Sequence, residues 1–232
     1  MSYKRIGVIV ADKDEYRPFA ESARDVYRNA HEISTPFASA IEFTCGGAEV
    51  IAVHCGIGKV NAASGAMYLA DHGCEVILNF GLSGGLDGVS FGEFVIPRRF
   101  LEHDFDLTGL GYKPCEKPEQ EYIYNADERL VKLFNSLCGA KITDTAVCGD
   151  RFVSSAADRE FLIKTFSASS CDMETAAIAS VCHITGTPFV SIRRISDGAD
   201  DTAIETYRDM NTNDGATLSE TFMMCLEGVT NV

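Results

Sequence analysis

The sequence predicts an α/β protein, a three-layer αβα sandwich around a central mixed sheet, with residues 1–232 forming one domain. Three observations predict it. Short apolar, β-branched runs alternate with segments whose apolar residues recur at helical spacing, the pattern of a sheet covered by helices. A hairpin signal early in the chain means that the sheet is not wholly parallel. The length of 232 residues, 46% of them hydrophobic, suffices for one full core and does not demand two.

The elements follow in order. Residues 5–11 read as a buried strand, and Asp12-Lys13-Asp14-Glu15 then opens a helix, where acids suit the positive end of the macrodipole. Pro18 fits that helix only in its first turn. Runs 41–45 and 49–55 flank Gly46-Gly47 as a hairpin. Gly56-Ile57-Gly58-Lys59 is a tight turn into a helix over 61–71, with Gly73 as its stop. Residues 75–80 form another buried strand, ending in the glycine loop Gly81-Leu82-Ser83-Gly84-Gly85. The polar stretch 100–127, with Pro114 and Pro118, reads as a long loop. Residues 129–137 are helical and 141–147 strand-like. A helix starts at Met173 and ends before Gly186 and Pro188, a strand covers 189–195, and 219–226 is the closing helix.

Composition excludes several classes of function. Twenty basic against thirty-four acidic residues give a net charge of −14, so there is no cationic field for nucleic acid or an anionic membrane. No window approaches the roughly 20 apolar residues of a spanning helix. The start, Met1-Ser2-Tyr3-Lys4-Arg5, carries no signal-peptide pattern, which points to the cytoplasm. Nine cysteines with no C-x-x-C pair predict reduced, mostly buried thiols rather than a disulfide framework. Five histidines without an H-E-x-x-H arrangement argue against a catalytic metal.

The chemistry concentrates where strands hand over to loops or helices. Cys171-Asp172-Met173-Glu174 sets a carboxylate at a helix start. Arg193-Arg194-Ile195-Ser196-Asp197 sets a second carboxylate just past a buried strand, with a guanidinium at its other side. Glu15 lies near the first helix start, and α/β sheets bind ligands at the carboxyl ends of their strands. Two acids in different environments are the minimum for splitting a glycosidic bond. Each is also, singly, an ordinary first-turn or strand-end acid. Gly56-Ile57-Gly58 lacks the third glycine of a dinucleotide fingerprint, and Lys59-Val60 is not a Walker pair. The glycine loop offers backbone N–H groups to a ligand, or serves only as a turn.

Taken together, Gly56-Ile57-Gly58-Lys59-Val60-Asn61-Ala62-Ala63, the glycine loop, Cys148-Gly149-Asp150-Arg151-Phe152-Val153, Asp172-Met173-Glu174 and Arg193-Arg194-Ile195-Ser196-Asp197 resemble the motif series of the purine nucleoside phosphorylase superfamily. Among its branches the series is most similar to the 5′-methylthioadenosine/S-adenosylhomocysteine nucleosidases. The resemblance runs from Ile6 to about Leu226. It implies hydrolysis of the N-glycosidic bond of an adenine nucleoside without a cofactor or metal, by a homodimer. Asp197 would protonate adenine N7, while Glu15, with Arg193 beside it, would orient and activate water. Glu174 would bind the ribose hydroxyls and Met173 would pack on the sugar. Phe152 would stack on the purine and Val153 would read its edge. Ile57, Ser196 and Tyr207 complete the implied substrate-binding set.

Two residues depart from that pattern. Nucleosidases carry Gly-Ser-Ala-Gly-Gly at the glycine loop, so Leu82 replaces a hydroxyl that helps to hold water, or phosphate in the phosphorylase relatives. Those relatives also place an arginine near Asn79, absent here. Both losses favour hydrolysis over phosphorolysis, although a phosphorylase or a non-catalytic nucleoside-binding homologue stays open as an alternative. Asp12 stands where the nucleosidases have a methionine lining the 5′-alkylthio pocket. Either it points away or the preferred substrate has a more polar 5′ group. Leu107, Leu110 and Tyr112, on the loop from His103 to Pro118, are expected to reach the partner subunit's 5′ pocket.

Overall fold

The computed structural model describes residues 3–213 and 215–230, so Met1 and Ser2 of the expected N-terminal run lie outside the described residues. The chain runs β1 (Arg5–Val10), α1 (Lys13–Val26), β2 (His31–Glu32), β3 (Ser39–Cys45), β4 (Ala48–His54), α2 (Lys59–Asp71) and β5 (Val76–Gly85). It continues through β6 (Phe94–Glu102), β7 (Tyr124–Asn125), α3 (Glu128–Cys138), β8 (Lys141–Cys148), α4 (Ala156–Phe166) and β9 (Ser170–Asp172). The last elements are α5 (Thr175–Thr185), β10 (Phe189–Asp197), α6 (Ala203–Asn213) and α7 (Gly215–Thr230).

One mixed sheet joins all ten strands. β1 lies parallel between β4 and β5, and β5 lies parallel to β10. β3 turns back antiparallel on β4 through Gly46-Gly47, as the hairpin signal predicts. Beyond β10 the sheet passes through β6, β8 and β9, and β9 pairs back onto β5, closing a circuit of five strands.

Side chains of adjacent residues in β1 leave on opposite faces, as a pleated strand requires. Ile6, Val8 and Val10 join Phe19, Phe43, Phe80, Phe222 and Leu226 in the cluster beneath α1, α3 and α7. Ile9 points the other way, with Leu69, Ile77 and Ile178, beneath α2 and α5. Helices on both faces of the mixed sheet give the three layers that the alternation of elements predicts. Eight of the nine cysteines are buried, and all nine are free thiols. Among the described residues no helix is long and apolar enough to cross a membrane, and no group of three His, Cys, Asp or Glu side chains could hold a metal ion.

Four local expectations need correction. The stretch 81–85 is not a loop: it is the second half of β5. Its Gly81, Leu82, Ser83 and Gly84 pair with β10, and Gly84 and Gly85 also pair with β9. Pro18 sits in the second turn of α1 rather than the first. The carbonyl that its missing N–H would have bonded belongs to Asp14, on the exposed side of the helix. The long loop shrinks to 103–123, because 94–102 is strand β6. Its Pro97 falls between the residues that pair with β10 (Phe94, Val95) and those that pair with β7 (Arg99, Phe100). Finally, α4, β9 and α6 exist where no element was expected.

Candidate active site

The carboxyl ends of β1, β5 and β10, side by side and parallel, open into a cavity of about 350 Å³. All ten residues singled out from the sequence line it: Glu15, Ile57, Phe152, Val153, Met173, Glu174, Arg193, Ser196, Asp197 and Tyr207. Asp12, Leu82, Ser83, Arg151 and Asp172 are also among its walls. Ile57 and Phe152, 53% and 38% exposed, form its solvent-facing apolar side, where the Phe152 and Tyr207 rings meet edge to face.

Arg193 is the hub. It is buried on β10, donates from Nε to Ser83 Oγ at 2.9 Å, from Nη1 to Asn79 Oδ1 at 3.2 Å, and from Nη2 to the Leu82 carbonyl. Asp172 and Glu174 each come within 3.9 Å of it. A buried guanidinium needs this many acceptors and counter-charges to offset its desolvation. Gly81 is required by the same packing. A Cβ there would sit 2.6 Å from Arg193 Nη1 and 3.0 Å from Glu15 Oε2.

Glu15 leans from α1 over β5, where its Oε1 accepts the Leu82 N–H at 2.7 Å. Burial pushes its carboxyl from the ordinary 4.5 up to about 8, against the opposing pulls of Arg193 and the Leu82 N–H. The charges of Asp12 and Glu174 push the same way as burial. Glu174 precedes α5 and accepts the Gly58 N–H at 2.9 Å, which fastens the α2 turn to the far side of the cavity. Gly58 has φ +97°, and a Cβ there would crowd Asp150. Burial raises Glu174 to about 7, again opposed by Arg193.

Asp197 is the last residue of β10 rather than a residue beyond it. The β5–β10 register slips between Ile195 and Asp197, so Ser196 is the extra residue of a bulge that re-aims the carboxylate. Its Oδ2 accepts the Ser196 hydroxyl at 2.7 Å and its Oδ1 accepts the Ala199 N–H at 2.8 Å. Burial raises its pKa above the ordinary value despite both donors. A carboxyl disposed to keep its proton therefore faces the cavity at one end, and a second buried carboxyl stands across it.

Three further residues support the site. Asp172 accepts the N–H groups of Glu174 and Thr175 at 2.9 Å each, and the Thr175 hydroxyl at 2.7 Å, so it fixes the start of α5 and with it Glu174. An Asp two residues before a carboxylate at a helix start is an N-cap signal in the sequence, and these bonds bear it out. Asn79 holds Arg193 and Ser191 while donating to the Ile9 carbonyl at 3.0 Å, and it thereby ties β5 to both neighbours. Ser83 supplies a hydroxyl to Arg193. The residue at 82 acts through its backbone, and its side chain packs into the core as cavity wall.

Comparisons with known proteins show the family to which this fold belongs. Residues 5–229 match the model of the phosphorylase superfamily. The 5′-methylthioadenosine/S-adenosylhomocysteine nucleosidase of Shewanella piezotolerans is 35% identical over 213 residues, which are 87% of this chain and 90% of that protein. The nucleosidase of the same name from Neisseria meningitidis, solved with methylthio-immucillin-A, is 30% identical. It superposes with a TM-score of 0.87 over 97% of this chain and 99% of that one. The S. pneumoniae nucleosidase, solved with the transition-state inhibitor MT-ImmA, is 26% identical with a TM-score of 0.86, over 97% and 99% of the two chains. The chain belongs to the phosphorylase superfamily, in its 5′-methylthioadenosine/S-adenosylhomocysteine nucleosidase branch.

Proposed function

We propose that the chain hydrolyses the N-glycosidic bond of adenine nucleosides such as 5′-methylthioadenosine or S-adenosylhomocysteine and releases adenine. The observation that carries this reading is that the cavity is lined by carboxyl groups and offers no free cation among the described residues. Asp12, Glu15, Asp172, Glu174 and Asp197 line it, while both of its arginines are already committed. Arg193 is enclosed by Asp172, Glu15 and Glu174, and Arg151 pairs with Asp158. A phosphate dianion finds no unclaimed cation there, whereas water needs none.

The roles follow from the environments. Asp197 donates its proton to N7, so the C1′–N9 electron pair leaves on a neutral base. Glu15 takes a proton from water as its oxygen adds to C1′, and ribose carrying the 5′ group is the second product. Glu174, poised near neutrality by its burial, binds the ribose hydroxyls and stabilises the oxocarbenium-like charge. Met173 packs on the sugar, Phe152 stacks on the base, Val153 meets its edge, and Ser196 orients Asp197. Ile57 and Tyr207 close the apolar side. The chemistry calls on no metal or cofactor.

The decisive experiment is incubation with 5′-methylthioadenosine, adenosine and inosine, with and without phosphate. Free adenine and an unphosphorylated sugar without phosphate are expected. Strict dependence on phosphate, with a sugar 1-phosphate product, would instead make the chain a phosphorylase. A homodimer belongs to the same reading. Val60 and Met67 on one side of α2, with Leu110 and Tyr112 on the 103–123 loop, are exposed apolar side chains. A fully active monomer by light scattering at micromolar concentration would refute that assembly. Nine free thiols support a reducing, cytoplasmic setting.

A further inference from the structure

The two ends of the cavity differ in chemistry. β5 lies between β1 and β10, so Asp197 at the end of β10 and Asp12 just after β1 are two strand spacings apart, roughly 10 Å. A nucleoside whose base meets Asp197, with its sugar over Glu174, directs its 5′ carbon toward Asp12. Asp12 does not point away. Its Oδ1 accepts the Asp14 N–H at 2.7 Å as the N-cap of α1, which holds the carboxylate in place, and its Oδ2 faces the cavity and accepts the Tyr207 hydroxyl at 3.3 Å. That donation uses the only proton of the phenol. The remaining lone pairs of Asp12 Oδ2 and Tyr207 Oη therefore form a pair of acceptors with no donor between them.

We propose that Asp12, with Tyr207, makes this end a receptor for a hydrogen-bond donor at the 5′ position, so that adenine nucleosides bearing a 5′-hydroxyl are preferred over those bearing a 5′-alkylthio group. The proposal rests on the nucleosidase reading above and specifies its substrate class. A thioether has lone pairs and no proton, so it strips water from a carboxylate and returns nothing. A hydroxyl donates to Asp12, and the bond is charge-assisted. Acceptors left without a donor in a half-buried site let it disfavour an analogue that lacks the proton.

The test is kcat/KM for base release from adenosine, 5′-deoxyadenosine and 5′-methylthioadenosine. The first two differ only in the 5′-hydroxyl. Adenosine is expected to lead 5′-deoxyadenosine on the order of 10- to 100-fold, the range for one charge-assisted bond. Asp12→Ser keeps an N-cap for α1 but is too short to meet the 5′ group, so the preference should collapse to within about twofold. A 5′-deoxy or 5′-methylthio substrate that equals or exceeds adenosine overturns the proposal and leaves the nucleosidase reading standing. A preference that survives Asp12→Ser overturns it as well. Release of base from none of the three would sink the nucleosidase reading itself, and the proposal with it.

Discussion

Replacing Glu15 with glutamine should sharply lower turnover and at the same time stabilise the fold, increasingly so toward alkaline pH. The native carboxyl holds its proton up to about 8, against 4.5 for an exposed glutamate. At about 1.4 kcal/mol per tenfold change in proton affinity, ionising it inside the fold costs at most about 5 kcal/mol. The sign is fixed by which state binds the proton more tightly. The folded state does, so stability is undiminished below 4.5 and falls as pH climbs toward 8. The glutamine side chain carries no charge at any pH and escapes that loss, and its amide oxygen can still accept the Leu82 N–H. That ceiling already includes the pull of Arg193, and relaxation around a buried carboxylate brings the gain to about 1–3 kcal/mol at pH 8.5. For a chain of this length that is a rise in Tm of about 3–8 °C. At pH 5 the difference should shrink to about 2 °C, since Glu15 is protonated there in the fold and only the unfolded chain has begun to ionise. Thermal melts from pH 5 to 9, paired with base-release assays, read both effects. Turnover should drop about 10²–10⁴-fold. A variant that melts below the parent at pH 8.5, or whose Tm difference is the same at pH 5, would refute the claim that Glu15 is a buried, destabilising base.

Other perturbations separate the remaining roles. Asp197→Asn can still accept the Ala199 N–H and turn its amide N–H toward the Ser196 hydroxyl, but it has no acidic proton to transfer, so kcat should fall about 10²–10⁴-fold while inhibitor affinity changes little; equal losses in both would make Asp197 a positioning residue. Glu174→Gln is expected to raise KM and lower kcat together, since ribose binding and charge stabilisation share that carboxyl. Gly81→Ala forces a methyl group against the Arg193 guanidinium and should destabilise by about 1–3 kcal/mol, measured by urea titration. The pH profile of kcat/KM should be bell-shaped, rising as Glu15 ionises and falling as Asp197 loses its proton, with the limbs belonging to the coupled pair. A flat profile between pH 5 and 9 would contradict the assignment.

What the sequence disclosed and what it hid follow one physical line. β1, the β3–β4 hairpin, α2, α5 and β10 were legible because each combines strong periodicity with a local stop signal, such as Gly73 after α2 or Gly186 after α5. The second half of β5 was not. Gly81, Gly84 and Gly85 have low strand propensity, and only pairing on both sides makes them strand, which no local pattern contains. β6 was obscured by Pro97, and β9 by being three residues long. The carboxylates of the site stood out as residue types at element ends. Their support did not: Asn79 and Ser83 reach Arg193 from more than a hundred residues away. Leu82 shows the limit most clearly, because a departure in side chain conceals a main-chain N–H that still holds Glu15.

The closed circuit of strands divides the site mechanically. β5, β10, β6, β8 and β9 form a hoop, and a strand in a hoop cannot slide without breaking hydrogen bonds on two sides at once. Arg193, Ser83, Asp172 and the proposed proton donor Asp197 all ride on it, so their spacing is held by the sheet. Asp12 and Glu15 belong to the β1–α1 junction outside the hoop, Tyr207 to α6, and Phe152 to the segment after β8. Opening for product departure falls to those outer parts. The hoop stays still while the outer parts move, and amide exchange should be slowest along β5 and β10 and fastest around Phe152 and Tyr207.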